Sequence, residues 1–155
     1  MSDKELRVSK IKEGTVIDHI SGGYALDVVK ILGITGREKR VITIAINVPS
    51  KRFKAKDIVK LEGRAPSPKE VNLIALVAPH ASINIIRDYE VVEKLEVKLP
   101  KMIEGVVKCV NPGCISNSRI EPAVAKFYVE CEDPLLLKCH YCGHMMEKLD
   151  VLQQL

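Results

Sequence analysis

The sequence contains no tryptophan and only two phenylalanines among its 155 residues. Aromatic rings are the surfaces on which single-stranded nucleic acids stack their bases, so this composition does not favour such a surface. No apolar run approaches the roughly 20 residues that a membrane-spanning helix needs. The first ten residues, MSDKELRVSK, are too charged for the apolar region of a signal peptide. We therefore expect a soluble cytoplasmic protein.

The sequence also lacks motifs that commonly mark active sites. Two glycine-containing stretches, GITGREKR (33–40) and GRAPSPKE (63–70), do not fit the phosphate-binding loop, which ends in Gly-Lys-Ser/Thr. The histidines stand apart from any serine or cysteine arrangement that would pair a nucleophile with a base. They are His19, His80, His140 and His144. We therefore predict a protein without catalytic activity of its own.

Cysteine is missing from the first 108 residues and is concentrated in the last third of the chain. Cys109 and Cys114 flank the residues VNPG, and Cys139 and Cys142 flank HY. Two short-spaced pairs separated by a hairpin-sized insert are typical of a tetrahedral four-cysteine zinc site. Ordinary buried thiols would rarely fall into this pattern. A redox pair would open a helix in a βαβ unit, which the surrounding sequence does not predict.

With four cysteine ligands the predicted zinc ion has no open position for water or substrate, so we expect a structural metal. The segment 100–155 is short for an independent hydrophobic core, and metal binding would supply much of its stability. The fifth cysteine, Cys131, stands outside both pairs, and we predict it to be a small buried apolar side chain. His140 and His144 are predicted to lie at the surface.

The first hundred residues alternate β-branched runs with two helical patterns. We predict helices at 23–34 and 67–79, and strands at 14–20, 40–49 (buried), 56–63 and 82–97. The order strand, helix, two strands, helix, strand is that of the ferredoxin-like fold, an antiparallel sheet with two helices. The pattern changes near KLPKMIEG (98–105). The predicted class is therefore α+β, with domains 1–99 and 100–155, the second a small β-rich four-cysteine zinc domain.

Both predicted helices carry signals at their ends. Ser67, Pro68 and Glu70 form the pattern of a capping box with proline in the first turn. Gly33 follows the last apolar positions of the first helix and suits the left-handed conformation of a C-terminal cap.

Charge is unevenly distributed along the chain, whose net charge is +4. Residues 1–99 carry 18 basic and 13 acidic side chains, whereas residues 100–155 carry 6 and 7. A zinc ribbon that binds nucleic acid usually has a basic surface, so the alternative of a zinc-ribbon nucleic-acid-binding protein is disfavoured. The basic excess includes Lys51, Arg52, Lys54, Lys56, Lys60 and Arg64, with Lys94 further on. This cluster is either a solvated face or an electropositive pocket for a small polyanion such as a nucleoside triphosphate.

Several stretches together resemble the regulatory chains of aspartate carbamoyltransferase. In the first domain they are GTVIDHI (14–20), ITIAINVPS (42–50), KDIVKLE (56–62), LIALVAP (73–79) and INIIRDYEVVEK (83–94). In the second they are CVNPGCISN (109–117) and LKCHYCG (137–143). The resemblance covers nearly the whole chain, and the combination of GTVIDHI with YEVVEK and this cysteine spacing is highly specific.

The regulatory chains that this sequence resembles have no catalytic activity and control the enzyme that carbamoylates aspartate in pyrimidine biosynthesis. The resemblance implies an N-terminal domain that binds CTP as inhibitor and ATP as activator at one shared site. It implies a zinc domain that docks onto the catalytic chain, and a homodimer formed through the N-terminal domains. It also implies one structural Zn²⁺ per chain, with no nucleic acid and no membrane as partner.

The resemblance implies site residues as well. Asp18 and His19 are similar to a pair that contacts the ribose and the phosphates. Lys94 resembles the lysine that meets the triphosphate, and Lys60 the lysine near the ribose and base. Positions similar to the pocket lining are Ile11, Val16, Asn84, Ile86, Tyr89 and Val91. The residues that match the zinc ligands are Cys109, Cys114, Cys139 and Cys142.

Overall fold

A computed structural model describes residues 10–51 and 54–155 of the chain. The chain divides into two compact units, each with its own antiparallel sheet. The first unit comprises the chain up to Pro66 together with His80–Glu96, and the second comprises Ser67–Pro79 together with Val97–Leu155. None of the helices in the described ranges is long and apolar enough to cross a membrane.

The first unit contains a five-stranded sheet and one helix. Its elements are β1 (Gly14–Ser21), α1 (Ala25–Ile31), β2 (Ile42–Pro49), β3 (Ala55–Glu62), β4 (Ser82–Arg87) and β5 (Glu90–Glu96). The strand order is β2-β3-β1-β4-β5, and all neighbours are antiparallel. The predicted final strand is a hairpin, because Asp88 and Tyr89 adopt positive φ angles of 50° and 66° and reverse the chain between β4 and β5.

One face of this sheet forms the core of the first unit. Ile17, Val59 and Ile83 on the three central strands are buried there, and α1 packs on the sheet beside them. The helix ends as predicted at Gly33, whose φ is 68°. The amide of Gly33 donates to the carbonyl of Lys30 and that of Ile34 to the carbonyl of Val29, the two bonds of a left-handed C-terminal cap.

Strand β2 was predicted to be buried, and this prediction is wrong. It lies at the edge of the sheet, and Val41, Ile44 and Ile46 are 58%, 39% and 47% exposed. An apolar β-branched run predicts a strand whose side chains are buried. It does not show whether the same chain or a partner chain buries them.

The second unit contains the remaining helices and a four-stranded sheet. Its elements are α2 (Pro68–Val77), β6 (Met102–Glu104), β7 (Lys126–Glu132), β8 (Leu135–Cys139), β9 (Met145–Glu147) and α3 (Lys148–Leu152). The strand order is β6-β7-β8-β9, and α2 packs against α3. Phe127, Leu137, Met146 and Val151 are fully buried in this unit. The predicted α+β class, with an N-terminal antiparallel sheet and a C-terminal β-rich four-cysteine domain, is confirmed.

Helix α2 has the predicted capping box. The hydroxyl of Ser67 accepts a hydrogen bond from the amide of Glu70 at 3.2 Å, and the Glu70 carboxylate accepts one from the amide of Ser67 at 2.8 Å. Pro68 occupies the first turn, where its missing N–H costs nothing. The two side chains therefore satisfy donors that a helix start leaves free.

The prediction for Cys131 is wrong, because this side chain is exposed on β7. Strand β6 pairs with residues 126–128 of β7, so among the described strands only β8 pairs with the end of β7 that carries Cys131. His140 and His144 are exposed, as predicted.

Candidate functional site

A bulge in β1 brings Asp18 and His19 to the same face of the first sheet. Ile17 and Ile20 are three positions apart and both fully buried, so the two residues between them lie on the opposite, open face. His19 has a positive φ of 56°, and its amide donates to the Asp18 carboxylate at 2.6 Å. Such bulges re-aim side chains at functional sites. The position of Asp18 and His19 on the same face therefore depends on one extra residue in β1.

Four of the predicted pocket residues form a single row across this open face. Val16 on β1 is paired with Lys60 on β3 and with Asn84 on β4, and Asn84 is paired with Lys94 on β5. Directly paired residues of neighbouring strands point to the same face. One lysine therefore lies at each end of the row, Lys60 and Lys94, and the side chains of Val16 and Asn84 lie between them.

Hydrogen bonds hold the polar groups of this face in place. His19 Nδ1 lies 3.1 Å from Ser82 Oγ, and the Asn84 amide donates to the Val16 carbonyl at 3.2 Å and to Ser82 Oγ at 3.4 Å. Ser82 is buried, and it is the register partner of Asp18. The imidazole is thereby held over β4, next to the row.

The open face also carries an ion pair. Lys56 Nζ lies 2.9 Å and 3.2 Å from the two carboxylate oxygens of Asp18. Burial lowers the pKa of Lys60, and the negative charge of Asp18 partly opposes that shift. A ligand with several negative charges could bind the ammonium groups of Lys56 and Lys60, because the carboxylate of Asp18 is already paired with Lys56.

The remaining predicted pocket residues lie at one end of the first sheet. Ile86 is paired with Gly14 and with Val91 and is buried. Tyr89 and Val91 are 59% and 56% exposed. The Tyr89 amide donates to the carbonyl of Lys12, which fastens the hairpin turn beside the buried Ile11. Because Val16, Asn84 and Ile86 share one face, this end continues the row with an apolar wall.

Lys56 and Ser82 were not among the predicted pocket residues. Lys56 was recognised only as one of a basic cluster, although it is four residues from Lys60 and therefore on the same side of β3. Strand periodicity was the signal that could have found it. Ser82 gave no signal in the sequence, because its place beside His19 depends on the β1–β4 register.

The four paired cysteines converge in the second unit. The sulfur atoms of Cys109, Cys114, Cys139 and Cys142 all lie within 4.8 Å of one another. Two of the separations, Cys109–Cys142 and Cys114–Cys139, are 3.7 Å. Metal–sulfur bonds of about 2.3 Å in a tetrahedron place the sulfur atoms about 3.8 Å apart. The cluster therefore has the dimensions that a tetrahedral thiolate site requires.

The turns at residues 109–114 and 139–142 are called here the first and the second knuckle. Their surroundings adjust the acidity of the thiols. The amide of His144 holds the pKa of Cys142 down at about 6, while burial raises the pKa of Cys109 to about 12. Gly143, with a φ of 74°, permits the turn that presents the His144 amide. The first knuckle is closed by the Asn117 side chain, which donates to the carbonyls of Cys109 and Asn111 at 2.8 Å and 2.9 Å.

The C-terminal residues reach back to the first knuckle. The Gln154 side chain accepts a hydrogen bond from the amide of Lys108 and donates one to its carbonyl, both at 2.7 Å. A primary amide thus imitates the backbone of a strand. Lys108 directly precedes Cys109, so Gln154 fixes the chain where the first cysteine pair begins.

An apolar patch, called here the insert patch, lies on the loop that follows the first knuckle. Ile115, Ile120, Val124 and Tyr141 are 56%, 91%, 59% and 37% exposed. The Ala123 amide donates to the Ile115 carbonyl and the Tyr141 hydroxyl to the Val124 carbonyl. The first bond closes the loop between Ile115 and Ala123, and the second attaches this loop to Tyr141 of the second cysteine pair.

Comparison with known proteins identifies the family. Residues 6–98 match the family model of the aspartate carbamoyltransferase regulatory chain, allosteric domain, and residues 101–152 match the model of its metal binding domain. The chain belongs to the aspartate carbamoyltransferase regulatory chains. It is a regulatory chain rather than a catalytic one.

Curated regulatory chains from other organisms are similar over almost their full length. The one from Hyperthermus butylicus is 53% identical over 99% of this chain and 96% of its own. The one from Pyrococcus horikoshii is 53% identical over 97% of this chain and 99% of its own. The one from Archaeoglobus fulgidus is 51% identical over 95% and 97%. This regulatory chain therefore contains both domains of its family.

Proposed function

We propose that this regulatory chain binds CTP and ATP on the open face of the first sheet and controls the catalytic chain of aspartate carbamoyltransferase through them. The observation that carries the proposal is the row Lys60–Val16–Asn84–Lys94, with Asp18 and His19 brought to the same face by the β1 bulge. Through its partner enzyme the chain would take part in the control of pyrimidine biosynthesis, in the cytoplasm.

The chemistry of this face suits a nucleoside triphosphate. Lys94 and His19 can donate to phosphate oxygens, and a carboxylate such as that of Asp18 accepts hydrogen bonds from ribose hydroxyls. Val16 and the buried Ile86 offer an apolar wall to the base, while strand backbone groups near the hairpin can read its polar edge. CTP and ATP would share this face, as the family resemblance implies.

The proposed control is a coupling between two states of the assembly. CTP and ATP must each bind those states with different affinity, because a ligand with equal affinity for both shifts nothing. We assign nucleotide sensing to residues 1–99 and attachment of the catalytic chain to residues 100–155. The family models, which change between residues 98 and 101, support this boundary.

We further propose that the metal is a structural Zn²⁺, held by Cys109, Cys114, Cys139 and Cys142. The sulfur separations of 3.7 Å and the all-cysteine donor set support zinc. A bound ion would tie the two knuckles and the insert patch into one rigid surface. That surface, with its exposed Ile120 and Val124, is suited to dock the catalytic chain.

The edge strand β2 supports a homodimer of regulatory chains. None of the described strands pairs with its outer side, and Val41, Ile44 and Ile46 are exposed along it. An exposed apolar edge strand is a template for pairing with another chain. We propose that two copies pair through this edge.

Nucleic acid is not a proposed partner. Residues 100–155 carry 6 basic and 7 acidic side chains, which gives the metal domain no basic surface for a phosphate backbone.

Calorimetric titration of the zinc-loaded chain with CTP tests the nucleotide site. We expect one CTP per chain, and Lys94→Ala should weaken binding by about 1.5–3 kcal/mol, the value of a charged hydrogen bond. Lys138→Ala, which removes an equal charge from β8 in the second unit, is the matched control. Unchanged CTP affinity in Lys94→Ala would remove that residue from the site, and no binding by the unaltered chain would refute the proposal.

A further inference from the structure

Asp57 is a buried acid for which the proposed site has no role. It is 0% exposed and lies on the core side of β3. The other two buried polar residues in the described ranges, Thr15 and Ser82, are neutral. An ionised carboxylate is kept in such a place only where it is fully hydrogen-bonded.

Three backbone amides satisfy this carboxylate. Asp57 Oδ2 accepts from the amides of Gly23 and Ala25, both at 3.0 Å, and Oδ1 accepts from the amide of Asn47 at 2.9 Å. Gly23 and Ala25 belong to the start of α1, where the N-cap residue Tyr24 supplies no side-chain cap. A single side chain of β3 thus holds the β1–α1 turn on one side and the edge strand β2 on the other.

Both strands beside Asp57 are irregular at this level. In β1 the register shifts around His19, immediately before Ile20, which is the partner of Asp57. In β2 the register shifts around Asn47, whose φ is 59°. Each irregularity adds a residue to one strand and needs groups outside the regular ladder to hold it. The carboxylate of Asp57 bonds directly to the second irregularity and to the turn that follows the first.

The residue before Asp57 reaches the proposed nucleotide site. Lys56 points to the open face, because successive residues of a strand alternate, and its ammonium group pairs with Asp18. In the β2–β3 register Lys56 is paired with Val48, next to Asn47. Lys56 and Asp57 are the two neighbouring residues of β3 that hold the irregular part of β2. A ligand that rearranges Asp18 and Lys56 therefore acts on one of them and lies beside the other.

We propose that Asp57 is a positioning residue that ties the open face to edge strand β2, so that a nucleoside triphosphate bound at Asp18 and His19 changes the conformation of β2 around Asn47. This inference rests on the proposed nucleotide site and adds how that site communicates. Where two copies pair through β2, the triphosphate and the second copy are linked, and each alters the affinity for the other by the same factor.

The test compares zinc-loaded chains, unaltered, Asp57→Asn and Asp27→Asn, by CTP titration and by NMR of labelled backbone amides. Asp27 lies in the first turn of α1, so its substitution makes the same change of charge beside the same helix. In Asp57→Asn an NH₂ group replaces one carboxylate oxygen. That group cannot accept a hydrogen bond from the backbone amides that donate to Asp57. We expect Asp57→Asn to bind CTP about tenfold more weakly, since buried amides lose their acceptor.

The amide of Asn47 gives the readout that a purely structural role would not move. In the unaltered chain and in Asp27→Asn, CTP should shift its resonance and change its hydrogen exchange. In Asp57→Asn the response should be lost. CTP binding without any change at Asn47, or an equal change in Asp57→Asn, would overturn the inference and leave the proposed function standing.

Two other results are also decisive. If no CTP binds to the unaltered chain, the proposed nucleotide site fails, and the inference falls with it. If Asp57→Asn does not fold, the Asn47 amide of the unaltered chain decides alone: its response to CTP supports the link, and its silence refutes it.

Discussion

The sulfur atoms of Cys114 and Cys139 lie 3.7 Å apart although 25 positions separate the two residues in the chain. The same distance joins Cys109 and Cys142, so each knuckle supplies one partner to each close pair. Such a crossed arrangement cannot be held by either knuckle alone. A metal ion bound by all four sulfur atoms would connect two segments that sheet pairing holds only in part.

Replacing one ligand tests that connection. Cys114→Ala should abolish association with the catalytic chain, because three thiolates cannot close the tetrahedral site and the docking surface would lose its order. The first unit, which has its own core, should stay folded. Copurification with the catalytic subunit and metal analysis provide the measurement.

Cys131→Ala is the matched control, since it removes an exposed thiol outside the cluster. It should retain both metal and association. A Cys114→Ala chain that still copurifies with the catalytic subunit would refute the docking role of the metal domain.

Gln154 provides a second test of the metal site. If the chain holds zinc as proposed, Gln154→Ala, which removes two hydrogen bonds to Lys108 beside Cys109, should release the metal to a chelator roughly threefold to tenfold faster. Gln153→Ala, at the adjacent exposed position, should release zinc at the unaltered rate. Equal rates for the two variants would show that the C-terminal residues do not fix the first knuckle.

A charged substitution on β2 tests whether two copies of the chain pair at this edge of the first sheet. Ile46→Lys places an ammonium group on β2, and if two copies pair there it should shift the chain towards monomer in sedimentation analysis. Val92→Lys makes the same change on β5, at the opposite edge, and should leave the dimer intact. A dimer that survives Ile46→Lys and dissociates with Val92→Lys would place the interface at β5.

The pH dependence of CTP binding follows from Lys60. Burial lowers the pKa of this lysine, so its positive charge is lost, as the pH rises, at a lower pH than that of a lysine with the ordinary pKa. CTP affinity should therefore fall in the alkaline range. Lys60→Arg keeps its charge there, because a guanidinium does not deprotonate. The fall should move to higher pH in that variant, and identical pH profiles would contradict the assignment of Lys60 to the site.

Local signals in the sequence were sufficient to predict the ends of two helices and the cysteine cluster. Ser67, Pro68 and Glu70 began α2 as predicted, and Gly33 ended α1, because helix ends depend on a few neighbouring residues. The four-cysteine cluster was predictable for a similar reason, since each knuckle is a local turn and the donor chemistry is specific.

Features that depend on register or on distant partners could not be predicted in this way. The bulge at His19, the place of Ser82 beside it and the exposed edge at Ile44 all follow from which strands pair and how. The link between Gln154 and Lys108 spans 46 positions, and a glutamine near the end of a chain carries no local signal for it. The exposure of Cys131 depends on its place in the second sheet, which composition does not reveal.

The most direct test is the aspartate saturation curve of the matching catalytic chain, recorded with and without this regulatory chain, and with CTP or ATP added. We predict that the regulatory chain associates and that each nucleotide shifts the curve only when the regulatory chain is present. An assembled complex whose curve ignores both nucleotides would contradict the account, because the chain would then dock through its metal domain without sensing either ligand.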